Sequence, residues 1–411
     1  MKKRVYLCGT MAMVMTLMAG CSSSGGSASD ESAAGGSGDA AAEAEMTIRV
    51  AHVCGTGAPY DYGANVFKEL VEERSGGRME VIVYAGDMTS DEVECVEMVQ
   101  NNNLEIGWVG TGALGGYVPE LGVFELPFLF NDSEHVNRAV EGEFGNYLLE
   151  KLSAVEGIYG LGYHEDGWRN ILTNGVTINT VDDMEGVRMR CMQNEVCVAM
   201  YEALGSTPVA LSSGEQFTGL QNGVVDGTDN SALYAVADGY IEVVDNICDI
   251  HHFYSSGIIV ASSDWYDSLS AEDQELIKQA AIDAGEQQRE WFIESDEAAI
   301  AEYEAKGYTV TRPTDLDAWR KKVQPVYDEM FAAHPEWEEL VEMVRAAADE
   351  TAEPDSADAE PAEEAAEADA EAAEPAEEAA EADAEPAEEA AEADAASAEE
   401  EAAEPAEEAA E

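Results

Sequence analysis

The chain has 411 residues, of which 87 are Asp or Glu and only 20 are Lys or Arg, so its formal net charge is −67. Such a charge repels the phosphate backbone of nucleic acids and excludes DNA and RNA as expected partners. Between two compositionally biased ends lie about 300 residues, enough for two lobes with ordinary hydrophobic cores.

The first residues of the chain have the pattern of an exported lipoprotein. Lys2, Lys3 and Arg4 form a basic start, and the apolar run that follows them is too short to span a bilayer. The sequence LMAGC, which ends at Cys21, then fits a lipobox, in which the cysteine is acylated before cleavage. The alternative is an ordinary cleaved signal in which this cysteine is incidental.

Export and lipidation together predict where the protein works. We expect residues 1–20 to be removed as a signal peptide and residues 21–45, rich in Gly and Ser, to form a flexible tether. Lipid on Cys21 would anchor the mature protein to the cell membrane, at the cell surface or in the periplasm.

After the tether, the sequence alternates between strand and helix patterns. Strands are predicted at residues 46–53, 79–84 and 106–109, and helices at residues 60–74 and 91–101.

This alternation predicts parallel crossover units and therefore an α/β sheet, whose ligands bind at the carboxyl ends of strands. The sequence GTGALG at residues 110–115 matches GxGxxG directly after a predicted strand. A dinucleotide fingerprint needs a helix after the third glycine, but Pro119 breaks any helix at once. We expect a loop that lines a cleft, and no cofactor.

Other motifs also argue against an enzyme or a metal site. His251 and His252 are adjacent, so on a strand they point to opposite faces, one in the core and one exposed. The chain has no GxSxG elbow and no zinc-protease histidine spacing, so we expect no catalytic residues. Further along, a capping box at Ser270 opens a predicted long helix that Gly307 ends.

Five cysteines follow Cys21, and their odd number leaves at least one thiol unpaired. No CxxC spacing suggests zinc or redox exchange, so small buried apolar residues are the expectation. A disulfide between Cys191 and Cys197 stays open if their backbones approach within about 7 Å. The other three are Cys54, Cys95 and Cys248.

The end of the chain, residues 349–411, is a low-complexity tail. From residue 351 onward it has 26 acidic residues, no basic ones and four copies of PAEEAAE. Removing those charges from the total of −67 leaves −41 on the first 350 residues, so the body is acidic as well. Without bulky apolar side chains the tail cannot form a core, and we expect it to be solvated and disordered.

Two arginines stand out in such an acidic body, Arg169 in GWRNILTN and Arg190 in GVRMRCMQN. A guanidinium group can hold a carboxylate through two parallel hydrogen bonds, so two arginines at one cleft would bind an organic anion. The alternative is ion pairing with neighbouring acids at the surface.

The segments GVFELPFLFNDSEHV, at residues 122–136, and ALGSTPVALSSGEQFTGLQNGVVDGTDN, at residues 203–230, resemble signatures of DctP-type solute-binding proteins of tripartite ATP-independent periplasmic (TRAP) transporters. The similarity runs from about Ile48 to about Met330. It implies a two-lobed, periplasmic-binding-protein-like (type II) α/β fold with a hinge and a long lobe-spanning helix. The implied lobes are residues 46–166 with 255–294, and residues 167–254 with 295–348.

The same resemblance implies site residues and a function. Arg190 aligns with the arginine that forms the main carboxylate salt bridge, Arg169 with a second arginine, and Asn230 with an asparagine that hydrogen-bonds the ligand. Trp168 and Tyr234 are further candidates, although interlobe packing is an equal alternative for them.

The implied function is to capture a small organic acid, such as a C4-dicarboxylate, keto acid or sugar acid, and to deliver it to a TRAP permease. We expect the protein itself to be a monomer. A ligand-sensing subunit of a membrane receptor and an extracytoplasmic hydrolase are the alternatives.

Overall fold

The structure is a computed structural model that describes residues 44–348. The predicted signal peptide, Cys21, nearly all of the tether and the acidic tail lie outside these residues. The strands are β1 (Met46–His52), β2 (Met79–Ala85), β3 (Ile106–Gly110), β4 (Ile158–Thr173), β5 (Arg188–Cys191), β6 (Thr207–Ala210), β7 (Gly227–Asn230), β8 (Asn246–Ser262) and β9 (Thr309–Thr311).

Twelve α-helices accompany the strands in residues 44–348: α1 (Pro59–Arg74), α2 (Glu92–Gln100), α3 (Thr111–Leu114), α4 (Ser133–Glu141), α5 (Glu143–Ser153), α6 (Glu195–Leu204), α7 (Ser213–Gln221), α8 (Ala232–Ala237), α9 (Ser263–Ser268), α10 (Ala271–Lys306), α11 (Leu316–Ala333) and α12 (Trp337–Ala346). Three 3-10 helices lie at Pro119–Glu125, Val181–Met184 and Tyr240–Glu242. Within this part of the chain, no helix is long and apolar enough to cross a membrane.

All the strands belong to one mixed sheet with the order β2-β1-β3-β8-β4-β7-β5-β6, and β9 pairs with the start of β8. The first half of the sheet contains the parallel pairs β1 with β2 and β1 with β3. The second half contains the parallel pairs β5 with β6 and β5 with β7. The parallel crossover units that the sequence predicts are therefore present in both halves.

The long antiparallel strands β4 and β8 join the two halves of the sheet. The end of β8 pairs with β3 in the first half, and its start pairs with β9 in the second. The end of β4 pairs with β7. The 36-residue helix α10 likewise packs on α1 in the first half and on α8 and β9 in the second.

The register of β4 against β8 shifts between Glu165 and Gly167, and again between Arg169 and Ile171. Gly167 has φ +95°, and a Cβ atom there would lie 2.4 Å from Cζ of Phe292, so only glycine fits this position. Irregular strands of this kind bend and re-aim side chains. The predicted lobe boundary at residues 166 and 167 falls in this bend, and the division of the chain into lobes stays a prediction.

Local sequence signals placed the helix and strand boundaries well. The Asp91 side chain accepts hydrogen bonds from the backbone of Val93 and Glu94 and so begins α2, as expected of an N-cap. Ser270 caps α10, and Gly307 ends it with φ +88°. The five elements predicted between residues 46 and 109 and the predicted long helix each have an observed counterpart, whose ends differ by at most a residue or two.

Candidate ligand-binding site

A small cavity of about 40 Å³ lies where strands of both halves of the sheet end. Val53 and Cys54 follow β1, Arg190 and Met192 lie at the end of β5, and Asn230 ends β7. The carboxyl ends of parallel strands are where ligands bind in open α/β sheets. The rest of the lining consists of Tyr60, Glu92, Asp166, Arg169, Ser213, Gln216, Tyr234, Asp238 and Tyr240.

Arg190 is buried, with only 3% of its surface exposed, yet most of its guanidinium group has no partner. Its Nε donates to the backbone oxygen of Leu211 at 3.0 Å. Within residues 44–348 its two terminal nitrogens form no hydrogen bond and no ion pair. A buried charge normally needs a partner, so this arrangement suits a ligand carboxylate that receives the two terminal N–H groups.

Arg169 lines the same cavity, but its guanidinium group is already paired with carboxylates of the protein. Its Nε and Nη2 both donate to Oδ1 of Asp229, at 3.0 and 2.8 Å, and Nη2 also reaches the Asp229 backbone oxygen. Its Nη1 donates to Oδ2 of Asp166 at 3.2 Å. Arg169 is therefore the centre of a buried ion-pair network and not a free anion receptor.

The Asp229 carboxylate is fully buried beneath the cavity. Burial raises the pKa of Asp229, but the charges of Arg169, His252 and Arg190 and the hydrogen bond from Tyr201 together outweigh this effect, so the net pKa is below its usual value. The hydroxyl group of Tyr201 donates to the other carboxylate oxygen, Oδ2, at 2.6 Å. The carboxylate is thus satisfied as long as Arg169 is present.

Two half-buried carboxyl groups, those of Glu92 and Asp238, face the same cavity. Burial, followed by the charge of Asp166, raises the pKa of Glu92 to about 7, and the Gly110 N–H donates to its Oε1 at 2.9 Å. Burial also raises the pKa of Asp238 to about 6. Together with Asp166, they make the cavity wall rich in carboxyl groups, which the sequence interpretation did not anticipate.

Two further carboxyl groups are buried close by, Glu125 and Glu165. Thr111 donates its hydroxyl to Glu125 at 3.2 Å, and Tyr254 donates to Glu165 at 2.7 Å. Because burial disfavours the charged form, the pKa of Glu125 is raised to about 8 and that of Glu165 to about 7.

We expect the free energy of unfolding to fall by about 1 kcal/mol or more per pH unit as the pH rises from 6.5 to 8. In this window Glu92, Glu125 and Glu165 hold more protons in the folded chain than in the unfolded one, so raising the pH favours unfolding. Burial lowers the pKa of His164 and His252 to about 3 and 4, an opposing contribution that acts below the ordinary histidine pKa.

Urea unfolding across this pH range measures the effect. Glu125→Gln is the matched variant, because it removes one titrating group at similar volume and is expected to reduce the slope. A free energy of unfolding that stays constant or increases between pH 6.5 and 8 contradicts the expectation.

Of the predicted site residues, Arg190, Arg169, Asn230 and Tyr234 line the cavity, and Trp168 does not. Trp168 lies in β4, directly after Gly167. Because the side chains of neighbouring strand residues point to opposite faces, Trp168 and Arg169 face opposite sides of the sheet. Its Nε1 donates to Ser133 Oγ at 3.1 Å, and its ring stacks on His251. The structure therefore places Trp168 outside this cavity.

The cavity beside Trp168 is larger, about 440 Å³, but it suits an anion poorly. Its lining includes the acidic residues Asp249 and Asp296. Its arginine, Arg312, is already paired with Asp249 and Glu304. Volume alone therefore does not single out a candidate carboxylate site, and the unpaired terminal nitrogens of Arg190 make the smaller cavity the better candidate.

The remaining motifs follow the sequence predictions with one difference. Gly112 and Ala113 of the GxGxxG match line a small recess beside Arg190, but residues 111–114 form the one-turn helix α3 where the sequence predicts a loop. His252 is buried and His251 is exposed. The five cysteines of the described part, including Cys191 and Cys197, are buried free thiols.

A cleft at strand ends of both halves of one sheet, with a buried arginine free to receive an anion, defines a two-lobed α/β binding protein. The chain belongs to the DctP family, bacterial extracellular solute-binding protein family 7, whose model matches residues 50–334. The predicted family and fold class are thereby confirmed. The protein is an extracytoplasmic solute-binding protein of the TRAP transporter type and not an enzyme.

Relatives and solved structures agree with this assignment. The chain is 29% identical over 282 residues to a solute-binding protein of Chromohalobacter salexigens, which covers 68% of this chain and 83% of that one. It is similar to the sugar acid binding protein DctPAm of Advenella mimigardefordensis in complex with galactonate, with a TM-score of 0.71, 28% identity and coverage of 74% and 98%. A TRAP periplasmic solute-binding protein of Sulfurospirillum deleyianum with bound succinate gives a TM-score of 0.70, 28% identity and coverage of 74% and 100%.

Proposed function

We propose that this protein captures a small organic acid in the Arg190 cavity and delivers it to a TRAP membrane permease, while a lipid on Cys21 holds it at the membrane. The single observation that carries the proposal is Arg190, a residue that is buried to 97% and whose two terminal guanidinium nitrogens are unpaired within residues 44–348. Burial removes water from the charge, so a ligand carboxylate gains a hydrogen-bonded partner in low-dielectric surroundings.

The other cavity residues support this role in different ways. Asn230 accepts the Ser231 N–H through Oδ1, which leaves its amide N–H groups for the ligand. Arg169 holds Asp166 and Asp229 in place around the cavity. The similar proteins with bound galactonate and succinate are both carboxylate complexes, which is consistent with the same class of ligand here.

A screen of thermal stability tests the proposal. Monocarboxylates, dicarboxylates, keto acids and sugar acids are added in excess, because a ligand that binds only the folded state raises stability by RT ln(1 + [L]/Kd). We expect a saturable rise in melting temperature for a subset of these acids, without turnover. A protein that responds to none of them, or that converts one into a product, contradicts the proposed function.

We expect Cys21→Ser to release the protein from membranes while ligand affinity is unchanged. The mutant lacks the thiol that is acylated, and the cavity is built from residues of the described body. Detergent phase partitioning of the two proteins measures the anchor, and calorimetry with the same acid measures the cavity. Continued partitioning of the mutant into the detergent phase would mean that another element anchors the protein.

A further inference from the structure

The cavity that contains Arg190 also contains three carboxyl groups, Glu92, Asp166 and Asp238. Because all three line this one small cavity, the charge of Asp166 raises the pKa of both others. Each has some protein donor: Gly110 N–H for Glu92, Arg169 Nη1 for Asp166, and Gly55 N–H at 3.5 Å for Asp238. A carboxylate can accept about four hydrogen bonds, so all three retain acceptor capacity toward the cavity.

The arginines do not balance these acids. The single charge of Arg169 is shared between the carboxylates of Asp229 and Asp166, so it does not offset Glu92 and Asp238 as well. Of the two arginines that line the cavity, Arg190 keeps unpaired terminal nitrogens within residues 44–348, and the proposed function gives them to the carboxylate of the ligand. At pH 8, above the raised pKa values of Glu92 and Asp238, both groups are largely ionised, and the rest of the wall is then a surface of acceptors that repels a second anionic group.

Two uncharged side chains show that this wall is built for a ligand. The Tyr234 hydroxyl and the Gln216 amide nitrogen line the cavity, with 2% and 1% of each residue exposed. Neither atom has a hydrogen-bond partner within the described residues. Buried polar atoms without partners are costly, and these two atoms lie beside the acids and Arg190.

Building on the proposed function, we propose that the ligand carries a single carboxylate, bound by Arg190, and hydrogen-bond donors on its remaining carbons, which face Glu92, Asp166 and Asp238. The donors are hydroxyl groups or an ammonium group, since both can donate to carboxylates. A second carboxylate at the far end of the ligand would face the acids without a cation of its own, so unsubstituted dicarboxylates are excluded.

Calorimetry with length-matched acids at pH 8, where Glu92 and Asp238 are largely ionised, tests this proposal on the mature protein. One set is succinate, 4-hydroxybutanoate and 4-aminobutanoate, which differ only in the terminal group. The other is galactarate and galactonate, in which a terminal carboxylate is replaced by a hydroxymethyl group. We expect the best donor-bearing acid to bind at least about 100-fold more tightly than its dicarboxylate partner, from the repulsion between like charges. The hydroxyl and ammonium members of the first set decide between the two donor types.

Glu92→Gln provides the matched variant, because it removes the charge but keeps the shape. We expect the affinity ratio between galactonate and galactarate to fall by about 10-fold or more, since repulsion of the second carboxylate decreases. Glu97→Gln, an exposed position on the same helix, is expected to leave the ratio unchanged. Melting temperatures of both variants show whether they fold.

The outcomes separate the two proposals. If succinate or galactarate binds as tightly as its donor-bearing partner, the proposed ligand chemistry is overturned, while carboxylate binding through Arg190 stands. An unchanged ratio in a folded Glu92→Gln protein also overturns it. If no acid of either set or of the wider screen binds, the proposed function fails and the ligand chemistry fails with it.

Discussion

Arg190→Ala is expected to weaken binding of the cognate acid by at least about 3 kcal/mol, a loss of roughly 100-fold or more in Kd. The guanidinium group supplies the free positive charge of the cavity, and without it a ligand carboxylate would be buried unpaired. Arg190→Lys is expected to fail as well, because an ammonium group cannot form the two parallel hydrogen bonds of a guanidinium group.

The loss should appear in binding and not in folding. Among the described residues, the Arg190 side chain forms one hydrogen bond, to the Leu211 backbone oxygen, so its removal is expected to cost the fold little. Arg188→Ala is the matched control on the same strand, because Arg188 is exposed and paired with Asp226. The measurement is isothermal calorimetry of the wild-type protein and the three variants with the same acid. Near-normal affinity in a folded Arg190→Ala protein would overturn the assignment of this cavity.

Arg169→Ala is expected to have the opposite signature, a loss of stability of about 3–5 kcal/mol. The substitution leaves the carboxylate of Asp229 buried without its cation, and only the Tyr201 hydroxyl and nearby groups remain to satisfy it. Asp166 loses its partner at the cavity wall as well. Chemical denaturation compared with the wild-type protein measures the effect.

A double substitution separates charge from packing. In Arg169→Leu combined with Asp229→Asn, both charges are removed, so the double variant is expected to be more stable than Arg169→Ala alone. Wild-type stability in Arg169→Ala would show that the ion pair contributes nothing to folding. A double variant no more stable than Arg169→Ala would show that lost packing, and not the buried charge, dominates.

The sequence predicted local structure more completely than the site. Helices α2 and α10 begin where a side chain accepts hydrogen bonds from N–H groups of the first turn, and a glycine ends α10. A few neighbouring residues are therefore enough to predict these helix ends. Apart from the family resemblance, the local sequence does not distinguish the two arginines, because the partner of Arg169 is distant in sequence. Asp229 lies 60 residues beyond Arg169, and only the sheet pairing of β4 with β7 brings them together.

The acids of the cavity were missed for a related reason. Glu92 is the second residue of the helix predicted at residues 91–101, which follows a predicted strand, so the rule that ligands bind at strand ends could have singled it out. Asp238 follows a short helix, α8, and no period in the sequence marks it. Trp168 was selected for its aromatic ring, but the bend at Gly167 and the alternation of the strand decide which face it takes.

The strands β4 and β8 have a consequence for recombination between members of this family. The chain passes from the first half of the sheet to the second within β4, returns within β8, and passes over again along α10. A chimaera that inherits one half of the sheet from another gene therefore needs a junction in each of these three elements. We expect single-junction chimaeras to bring together β4 and β8 sequences of different origin along the entire bend, so exchange of ligand preference proceeds by point substitution in the cavity.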